Sequence, residues 1–543
     1  MAVDTLIIGS GVAAAALAQR LLDKDPKASI LVLEAGSRVK TKDFGLWENY
    51  LITGQLPYDR YKDLNYPQKD AAGENMSVGG TEIPLAGARV LTYGGSTIHW
   101  GGWSFRLKPE DFELHSRTGQ AADWPISYRD LEPYYGQAEH YIGVSGDSND
   151  PNVFRTQPYP FPPFPYSLED QPLAEALETL RLSYSHLPIA RHGVTDTTSK
   201  HAPCQTTGTC KYCPFGARYA ATNFLNDMVA WNDFPNFEVR TGAIVEEIVL
   251  TSKRRVAGVR YVTADGAAPI FVDAQRIIVA AGTIESAKLL LRSISPDWLH
   301  GIGNDNDLVG RHLVTHPYFI FKGIVPQNPR KLQPEMNFPT LCTRHFDSEA
   351  EQARGKFILV NPPDNVQPQL PGVKIPGLLA AMQAGKTREE LDAAFLAPNL
   401  VQLHGMVEVF GRHDNRVLNT DRRNHMGMVE TSVDYTKDPG FDARMAEVQT
   451  EVERIFQQMG ATLSGKPTVS WRADHAGSLC RMGRSDGDSV VDADLRVHGM
   501  DNLYICSNAT FPSIGAINPT LTLTALALRL GDHLGAVSPG GPA

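Results

Sequence analysis

The sequence lacks the features of a protein that binds nucleic acid, spans a membrane or is stabilised by disulfides. Its 543 residues carry a net charge of -10 at pH 7, and no basic stripe is visible, which excludes a nucleic-acid partner because such a partner needs a basic face. No apolar run approaches the ~20 residues that cross a bilayer. Only six cysteines are present, and three of them bunch between positions 204 and 213, which is not a disulfide framework. We therefore expect a reducing compartment.

We expect no secretory leader, because the first apolar run begins almost at once, after Asp4. A cytoplasmic location is the resulting expectation. A chain of 543 residues also exceeds the size over which one hydrophobic core usually grows, so two domains are expected.

What the sequence does contain at its start is a dinucleotide-binding pattern. Residues 4–36 read as an apolar strand, the turn Gly9-x-Gly11-x-x-Ala14, an Ala-rich helix and a second strand that ends at Glu34. Gly9 permits the tight turn, Gly11 lets the backbone approach a pyrophosphate, and Ala14 allows close packing of helix on strand. Glu34 is placed to bind a ribose 2′-hydroxyl and to disfavour a 2′-phosphate. The alternative is a strand-turn-helix of an unrelated α/β protein.

The rest of the chain alternates regular and irregular segments. Short apolar runs between residues 235 and 282 predict strands that include an Asp-Gly hairpin. The Pro-rich stretch 157–165 reads as a loop. Prolines and glycines break up residues 355–400, which we interpret as a mobile cover without regular elements, the alternative being a surface excursion. Helical patterns occur near residues 128–141, 168–182, 283–294, 387–396 and 441–459.

Five ordered segments carry a family resemblance. They are GSGVAAA with Glu34, GGSTIHW at 94–100, VAAGTIESAKLLL at 279–291, HAGSLCRMG at 475–483 and NATFPSIGAINPTLTLTALA at 508–527. Together they resemble a glucose-methanol-choline oxidoreductase, and within that family the pyranose oxidase and sugar-dehydrogenase branch is the most similar.

The resemblance implies a mixed α/β and α+β fold that binds FAD. A Rossmann-like FAD-binding domain would be built from residues 1–105, 200–320 and 470–543. A discontinuous β-sheet substrate domain would take residues 106–199 and 321–469.

The C-terminal segments contain residues suited to alcohol oxidation. Removing a hydroxyl proton while a hydride leaves calls for a neutral imidazole within hydrogen-bond reach, and a second polar group must hold the same oxygen. His475 and Asn518 resemble the His/Asn pair of the family. Asn518 precedes Pro519, which forces an extended backbone, and Thr520 is placed to cap the last helix. The alternatives are a buried histidine bonded to a carbonyl and a turn asparagine.

The resemblance also implies a set of residues that contact FAD. His99 aligns, through its neighbour Trp100, with a histidine that carries a covalent flavin link in pyranose oxidases. Ile98 departs from that pattern, so a covalent link and non-covalent packing both remain open. The implied cofactor-binding residues are Gly9, Gly11, Ala14, Glu34, Gly95, Ser96, His99, Val245, Asn508, Pro519 and Thr520.

The cysteine cluster allows three interpretations. His201, Cys204, Cys210 and Cys213 have spacings that could formally hold zinc. The same stretch resembles a Cys-rich segment of iron-sulfur sugar dehydrogenase subunits, and three thiolates can hold a three-iron cluster. The interpretation we adopt is structural thiols or a disulfide, with no metal.

These elements together predict an FAD-dependent sugar or glycoside oxidase. A secondary hydroxyl of a pyranose, at C2 or C3, would be oxidised to a keto-sugar by hydride transfer to the flavin. Oxygen, which yields hydrogen peroxide, or a quinone would then accept the electrons. The alternatives are a dehydrogenase catalytic subunit that passes electrons to a small partner subunit, a non-catalytic flavin-binding protein, and a disulfide reductase that uses Cys210 and Cys213.

Overall fold

The structure is a computed structural model. It describes residues 2–40, 43–53, 75–78, 80–85, 88–194, 202–206, 212–230, 234–263, 268–324, 338–361, 371–395, 400–424 and 426–536.

Eleven helices lie in these ranges. They are α1 Val12–Lys24, α2 Phe44–Thr53, α3 Leu114–Thr118, α4 Tyr128–Ile142, α5 Gln171–Thr179, α6 Ala221–Ala230, α7 Gly282–Arg292, α8 Pro371–Gln383, α9 Arg388–Phe395, α10 Phe441–Gln458 and α11 Thr520–Gly535.

The strands of the described residues number nineteen. They are β1 Val3–Ile8, β2 Ile30–Glu34, β3 Asn75–Val78, β4 Val144–Ser145, β5 Ser185–His186, β6 Ile189–Ala190, β7 Phe237–Thr241, β8 Ala243–Ser252, β9 Arg255–Thr263, β10 Ile270–Val279, β11 Pro317–Ile324, β12 Leu341–Thr343, β13 Phe357–Val360, β14 Leu400–Val407, β15 Arg416–Arg423, β16 Val429–Asp434, β17 Thr462–Leu463, β18 Thr468–Trp471 and β19 Leu503–Ile505.

The helices predicted from periodicity are confirmed as α4, α5, α7, α9 and α10, and the strands predicted between residues 235 and 282 are confirmed as β7 to β10. The Asp-Gly hairpin itself lies outside the described residues, although β9 and β10 pair antiparallel on either side of it. The expectation of no regular element in 355–400 is wrong, because β13, α8 and α9 form there. Pro371 is the first residue of α8. A helix tolerates proline at this position, because the N–H that proline lacks would have no helical partner there.

The first sheet is built from strands with continuous apolar runs. Its order is β7-β2-β1-β10-β9-β8, and β19 pairs with β10. β7, β2, β1, β10 and β19 run parallel, whereas β8 and β9 form an antiparallel extension. β2 is buried along its whole length, as expected for a parallel strand that is covered on both faces. The buried, Ala-rich face of α1 packs against α11, which in turn packs on α4.

The second sheet has the order β17-β11-β14-β13-β12-β5, and β18 pairs with β11. Its strands pair antiparallel, and buried positions alternate along β11, which is the pattern of a sheet with one face against a core. α10 packs on it with Val448, Val452 and Ile455 buried. The domain boundaries given above stay a prediction.

The parallel order of the first sheet positions the site. β1, β2, β10 and β19 all end at the same edge, so the segments that follow them come together there. In open parallel sheets, ligands bind at the carboxyl ends of the strands. Among the described residues, no helix is both long and apolar enough to cross a membrane.

Candidate active site

A cavity of about 430 Å³ opens at that edge of the first sheet. The structure places eleven of the thirteen predicted site residues in its lining: Gly9, Gly11, Glu34, Gly95, Ser96, His99, Val245, His475, Asn508, Asn518 and Thr520. The two that do not line it are Ala14, which is fully buried in α1, and Pro519, the N-cap of α11. The expectation that Thr520 caps this helix is wrong, because Thr520 is its first residue.

The glycines of the first turn have different physical roles. Gly9 has φ +95°, and a Cβ there would lie 2.5 Å from the carbonyl oxygen of Ala280, so a side chain is excluded. Gly11, the N-cap of α1, would place a Cβ with nothing within 4 Å. The space next to the Gly11 Cα is therefore open. It lies beside the first N–H groups of α1, which lack helical partners and favour an anion. A Cβ on Gly95 would lie 3.1 Å from the Cα of Gly11, so the two glycine segments meet at this point.

Glu34 ties the first turn to its surroundings. Its carboxylate accepts hydrogen bonds from the Ser10 N–H at 3.0 Å, the Ser10 hydroxyl at 2.6 Å and the Gly36 N–H at 2.8 Å. Burial raises the pKa of Glu34, and these hydrogen bonds counteract the rise. Ser10 Oγ also accepts from the Gly94 N–H at 3.0 Å. Sequence reasoning missed Ser10, which connects Glu34 to the GGSTIHW segment.

His475 and Asn518 lie side by side in the cavity. His475 is in a single 3-10 turn after β18, and Asn518 lies just before α11. Asn518 Nδ2 is 3.3 Å from His475 Nε2. Burial lowers the pKa of His475 well below its ordinary value, and the nearby His316 and Arg472 lower it further. The imidazole is therefore neutral at pH 7, as a general base requires.

Two buried amide oxygens in the cavity lack a hydrogen-bond partner among the described residues. They are Asn508 Oδ1 and Asn518 Oδ1, and both side chains belong to the cavity lining. Because buried polar atoms are almost always paired in proteins, these oxygens indicate a ligand that carries N–H or O–H groups. The open side of Gly11 and these two acceptors fit a dinucleotide and a polar substrate.

His99 and Val245 also line the cavity. His99 follows the 3-10 turn Gly95–Ile98, and its backbone N–H donates to Ser96 O at 3.2 Å. Val245 belongs to β8. The covalent link at His99 stays a prediction.

Sequence reasoning also missed a charged cluster whose members Arg89, Glu285 and Arg292 line the cavity. Glu285 pairs with Arg89 and, at 3.0 Å, with Lys288. Burial raises the pKa of Glu285, but the charges of Lys288, Arg89 and Arg292 outweigh burial and bring it to about 2. Glu285 belongs to the VAAGTIESAKLLL segment, and this acidic residue was the signal from which the cluster could have been predicted.

The cysteine cluster is only partly described. Cys204 Sγ accepts a hydrogen bond from Arg191 Nη1 at 3.4 Å, and Cys204 and Cys213 form no disulfide within the described residues. Cys210 and His201 lie outside them. Within the ranges given above, no group of three or more His, Cys, Asp or Glu side chains could hold a metal ion. The metal-free interpretation stays a prediction.

Two segments of the chain match models of one protein family. Residues 181–318 and 412–527 match the N-terminal and C-terminal family models of GMC oxidoreductases. The chain belongs to the GMC oxidoreductase family, whose members are FAD-dependent oxidoreductases that act on CH–OH groups.

Two curated relatives span almost the whole chain. The fructose dehydrogenase large subunit of Gluconobacter japonicus is 28% identical over 98% of this chain and 98% of its own length. The 6'''-hydroxyparomomycin C oxidase of Streptomyces lividus is 29% identical over 98% of this chain and 92% of its own length.

Solved structures share the fold. Pyridoxine 4-oxidase from Mesorbium loti superposes with a TM-score of 0.64 at 17% identity, covering 98% of this chain and 99% of that one. A formate oxidase of Aspergillus oryzae gives a TM-score of 0.65 at 15% identity, with 98% of each chain covered. The predicted fold class is thereby confirmed, and FAD is the cofactor.

Proposed function

We propose that this enzyme oxidises a secondary hydroxyl of a pyranose sugar or glycoside, at C2 or C3, to a keto-sugar. The observation that carries the proposal is the neutral imidazole of His475 beside Asn518 in the cavity where we expect FAD to bind. The sugar class is supported by two relatives whose names describe oxidation of a sugar and of an aminoglycoside. The assignment to C2 or C3 comes from the sequence resemblance to pyranose oxidases.

The protein's part in the reaction is to hold the alcohol and to move its proton. His475 Nε2 takes the hydroxyl proton, because it carries a lone pair whenever the imidazole is neutral and its Nδ1 is protonated. Asn518 is 3.3 Å from the same nitrogen, so its amide can hold the substrate oxygen beside the base. FAD, when bound, supplies the acceptor for the hydride. Gly9, Gly11, Ala14, Glu34, Gly95, Ser96, His99, Val245, Asn508, Pro519 and Thr520 remain the proposed cofactor-binding residues.

Anaerobic mixing of the purified holoenzyme with a panel of pyranoses and glycosides tests the proposal. A reactive sugar should bleach the flavin absorbance, and mass spectrometry of the product should find a loss of two hydrogens at a ring carbon. Primary alcohols of similar size serve as the comparison. Bleaching by the primary alcohols alone would contradict oxidation at a ring position.

The electron acceptor has two candidates. Oxygen or a quinone is the first, and a partner electron-transfer subunit is the second, which is favoured because one relative is named as a large subunit. Admitting air to the reduced enzyme and measuring hydrogen peroxide separates them. Fast reoxidation by oxygen with stoichiometric peroxide, or fast reoxidation by an added quinone, supports the first candidate, whereas slow reoxidation by both supports a partner electron-transfer subunit.

A further inference from the structure

We propose that His316 is a positioning residue that holds His475 in the tautomer with its proton on Nδ1, so that the lone pair of Nε2 faces the cavity. The inference deepens the proposed function and rests on His475 as the base. His316 immediately precedes β11 and is buried. It belongs to none of the motifs that carry the family resemblance.

A hydrogen-bonded chain links the backbone to the base through His316. His316 Nε2 lies 2.7 Å from the carbonyl oxygen of Gly515, and His316 Nδ1 lies 3.0 Å from His475 Nδ1. The two rings are nearly perpendicular, with an interplanar angle of 87°. His475 Nε2, at the far side of its ring, meets Asn518 Nδ2 at 3.3 Å.

The chemistry of these partners permits one arrangement of protons. A carbonyl oxygen can only accept, so His316 Nε2 must carry a proton and donate it to Gly515. Burial lowers the pKa of His316 to about 4, so above that pH the ring is neutral and its Nδ1 carries a lone pair. His475 Nδ1 must then donate to His316 Nδ1, because two lone pairs 3.0 Å apart would repel each other. The proton of neutral His475 is thereby on Nδ1, and Nε2 is left as the acceptor.

The tautomer of His475 does not depend on how the Asn518 amide is oriented. Rotating the amide would exchange Oδ1 and Nδ2 beside His475 Nε2, but it would leave the contact with His316 unchanged. With Nδ2 next to His475 Nε2, the amide donates to the lone pair. When substrate binds, its hydroxyl would replace the amide as the donor to this lone pair and would then transfer its proton to His475 Nε2.

One loop orients both sides of the His475 ring. Gly515 and Asn518 belong to the same segment before α11, so this segment supplies both the carbonyl that accepts from His316 and the amide beside His475 Nε2. Gly515 has φ +57°, and a Cβ there would lie 2.9 Å from Leu107 Cδ2, which favours glycine at this position. Ser513 anchors the loop, because its hydroxyl donates to Asp111 O at 3.2 Å and accepts from Trp124 Nε1 at 2.9 Å.

Nitrogen NMR of the intact protein tests the tautomer directly. The full-length holoenzyme would be labelled with 15N-histidine, and the His475 signals would be identified as those lost in His475→Gln. At pH 7 we expect His475 to be protonated on Nδ1 and His316 on Nε2. Finding His475 protonated on Nε2, or on both nitrogens, would overturn the proposal. This readout does not require turnover, so it stands even if no sugar reduces the enzyme.

Three variants test the functional consequence. His316→Leu removes the acceptor for His475 Nδ1, and we expect flavin reduction to slow by about 10²-fold, the scale of losing a partner that orients a functional histidine. His316→Asn returns an amide oxygen near the position of Nδ1 and should recover at least tenfold of that loss. His404→Leu is the matched control, since His404 is a buried, hydrogen-bonded histidine whose partners Tyr318 and Gln402 lie outside the cavity lining.

The outcomes separate the inference from the proposed function. A wild-type enzyme that no sugar reduces would refute the proposed function while the NMR result still decides the tautomer. Normal flavin reduction in His316→Leu, with His475 still protonated on Nδ1, would refute the inference and leave the proposed function in place. If His316→Leu does not fold, His316→Asn and the wild-type tautomer decide the matter. Equal losses in His316→Leu, His316→Asn and His404→Leu would indicate a structural role and overturn the proposal.

Discussion

Replacing Glu34 with Ala should lower both the free energy of unfolding and the affinity for FAD. The carboxylate accepts three hydrogen bonds, and two of them come from the buried backbone N–H groups of Ser10 and Gly36. The third comes from the Ser10 hydroxyl, which can rotate to another acceptor. Leaving a buried donor without a partner costs about 1–3 kcal/mol, so the two N–H groups together cost about 2–6 kcal/mol.

Part of this loss is offset, because burial disfavours the Glu34 carboxylate and the variant no longer buries that charge. We therefore expect the free energy of unfolding to fall by about 2–4 kcal/mol. FAD affinity should fall as well, because Ser10 connects Glu34 to Gly94 and to the wall of the cavity.

Urea denaturation of the apoprotein measures the stability term, and fluorescence titration with FAD measures the binding term. Glu238→Ala is the matched control, since Glu238 lies in the adjacent strand and pairs with Arg240 at the surface. Exposed pairs of this kind contribute about 0–1 kcal/mol. Equal unfolding free energies for wild type and Glu34→Ala would refute the reasoning.

Four further predictions concern the glycine turn, the base, His99 and the cysteine cluster. Gly9→Ala should fail to fold or lose several kcal/mol of stability, because the φ of +95° and the 2.5 Å approach to Ala280 O exclude a Cβ. Gly11→Ala should fold normally but bind FAD more weakly. Thermal melting and FAD titration compare the two variants. The rate of flavin reduction should stay constant through mild acid and fall only as the pH drops through the lowered pKa of His475, since the base must be neutral. A stopped-flow pH series in which the rate falls around an ordinary histidine pKa would contradict this. Acid precipitation should leave the flavin soluble if His99 is not bonded to it, and a yellow pellet would assign the covalent link. Elemental analysis and electron paramagnetic resonance should find no stoichiometric metal if the cysteines are thiols, while about three irons per chain would favour the dehydrogenase.

The fold was most predictable where local sequence determines local structure. The turn that follows β1 needs glycine at position 9 and tolerates alanine at position 14, so the order of strand, helix and strand is readable from the chain alone. The same holds for the periodic helices, whose apolar residues repeat with the helical period. The helix α8 was not predictable from its prolines and glycines, because packing and the place of Pro371 at the first turn override intrinsic propensity.

The site was predictable where a motif carries the chemistry and not where distant residues meet. His475 and Asn518 stand in segments with a family resemblance, and the structure brings them within 3.3 Å of each other. The contact between His316 and His475 spans 159 positions of the chain, and a lone histidine before a strand gives no periodic or spacing signal. Ser10 was missed for a different reason, since its hydroxyl acts through Glu34 and not through the glycine pattern.

Stopped-flow flavin reduction in His475→Ala tests the central claim most directly. The variant should bind FAD with unchanged stoichiometry, because His475 is proposed to act on the substrate hydroxyl. Its reduction by the reactive sugar should be about 10²–10⁴-fold slower than in wild type, the range that a general base contributes. Reduction of the variant at a rate near that of the wild type would contradict the assignment of His475 as the base.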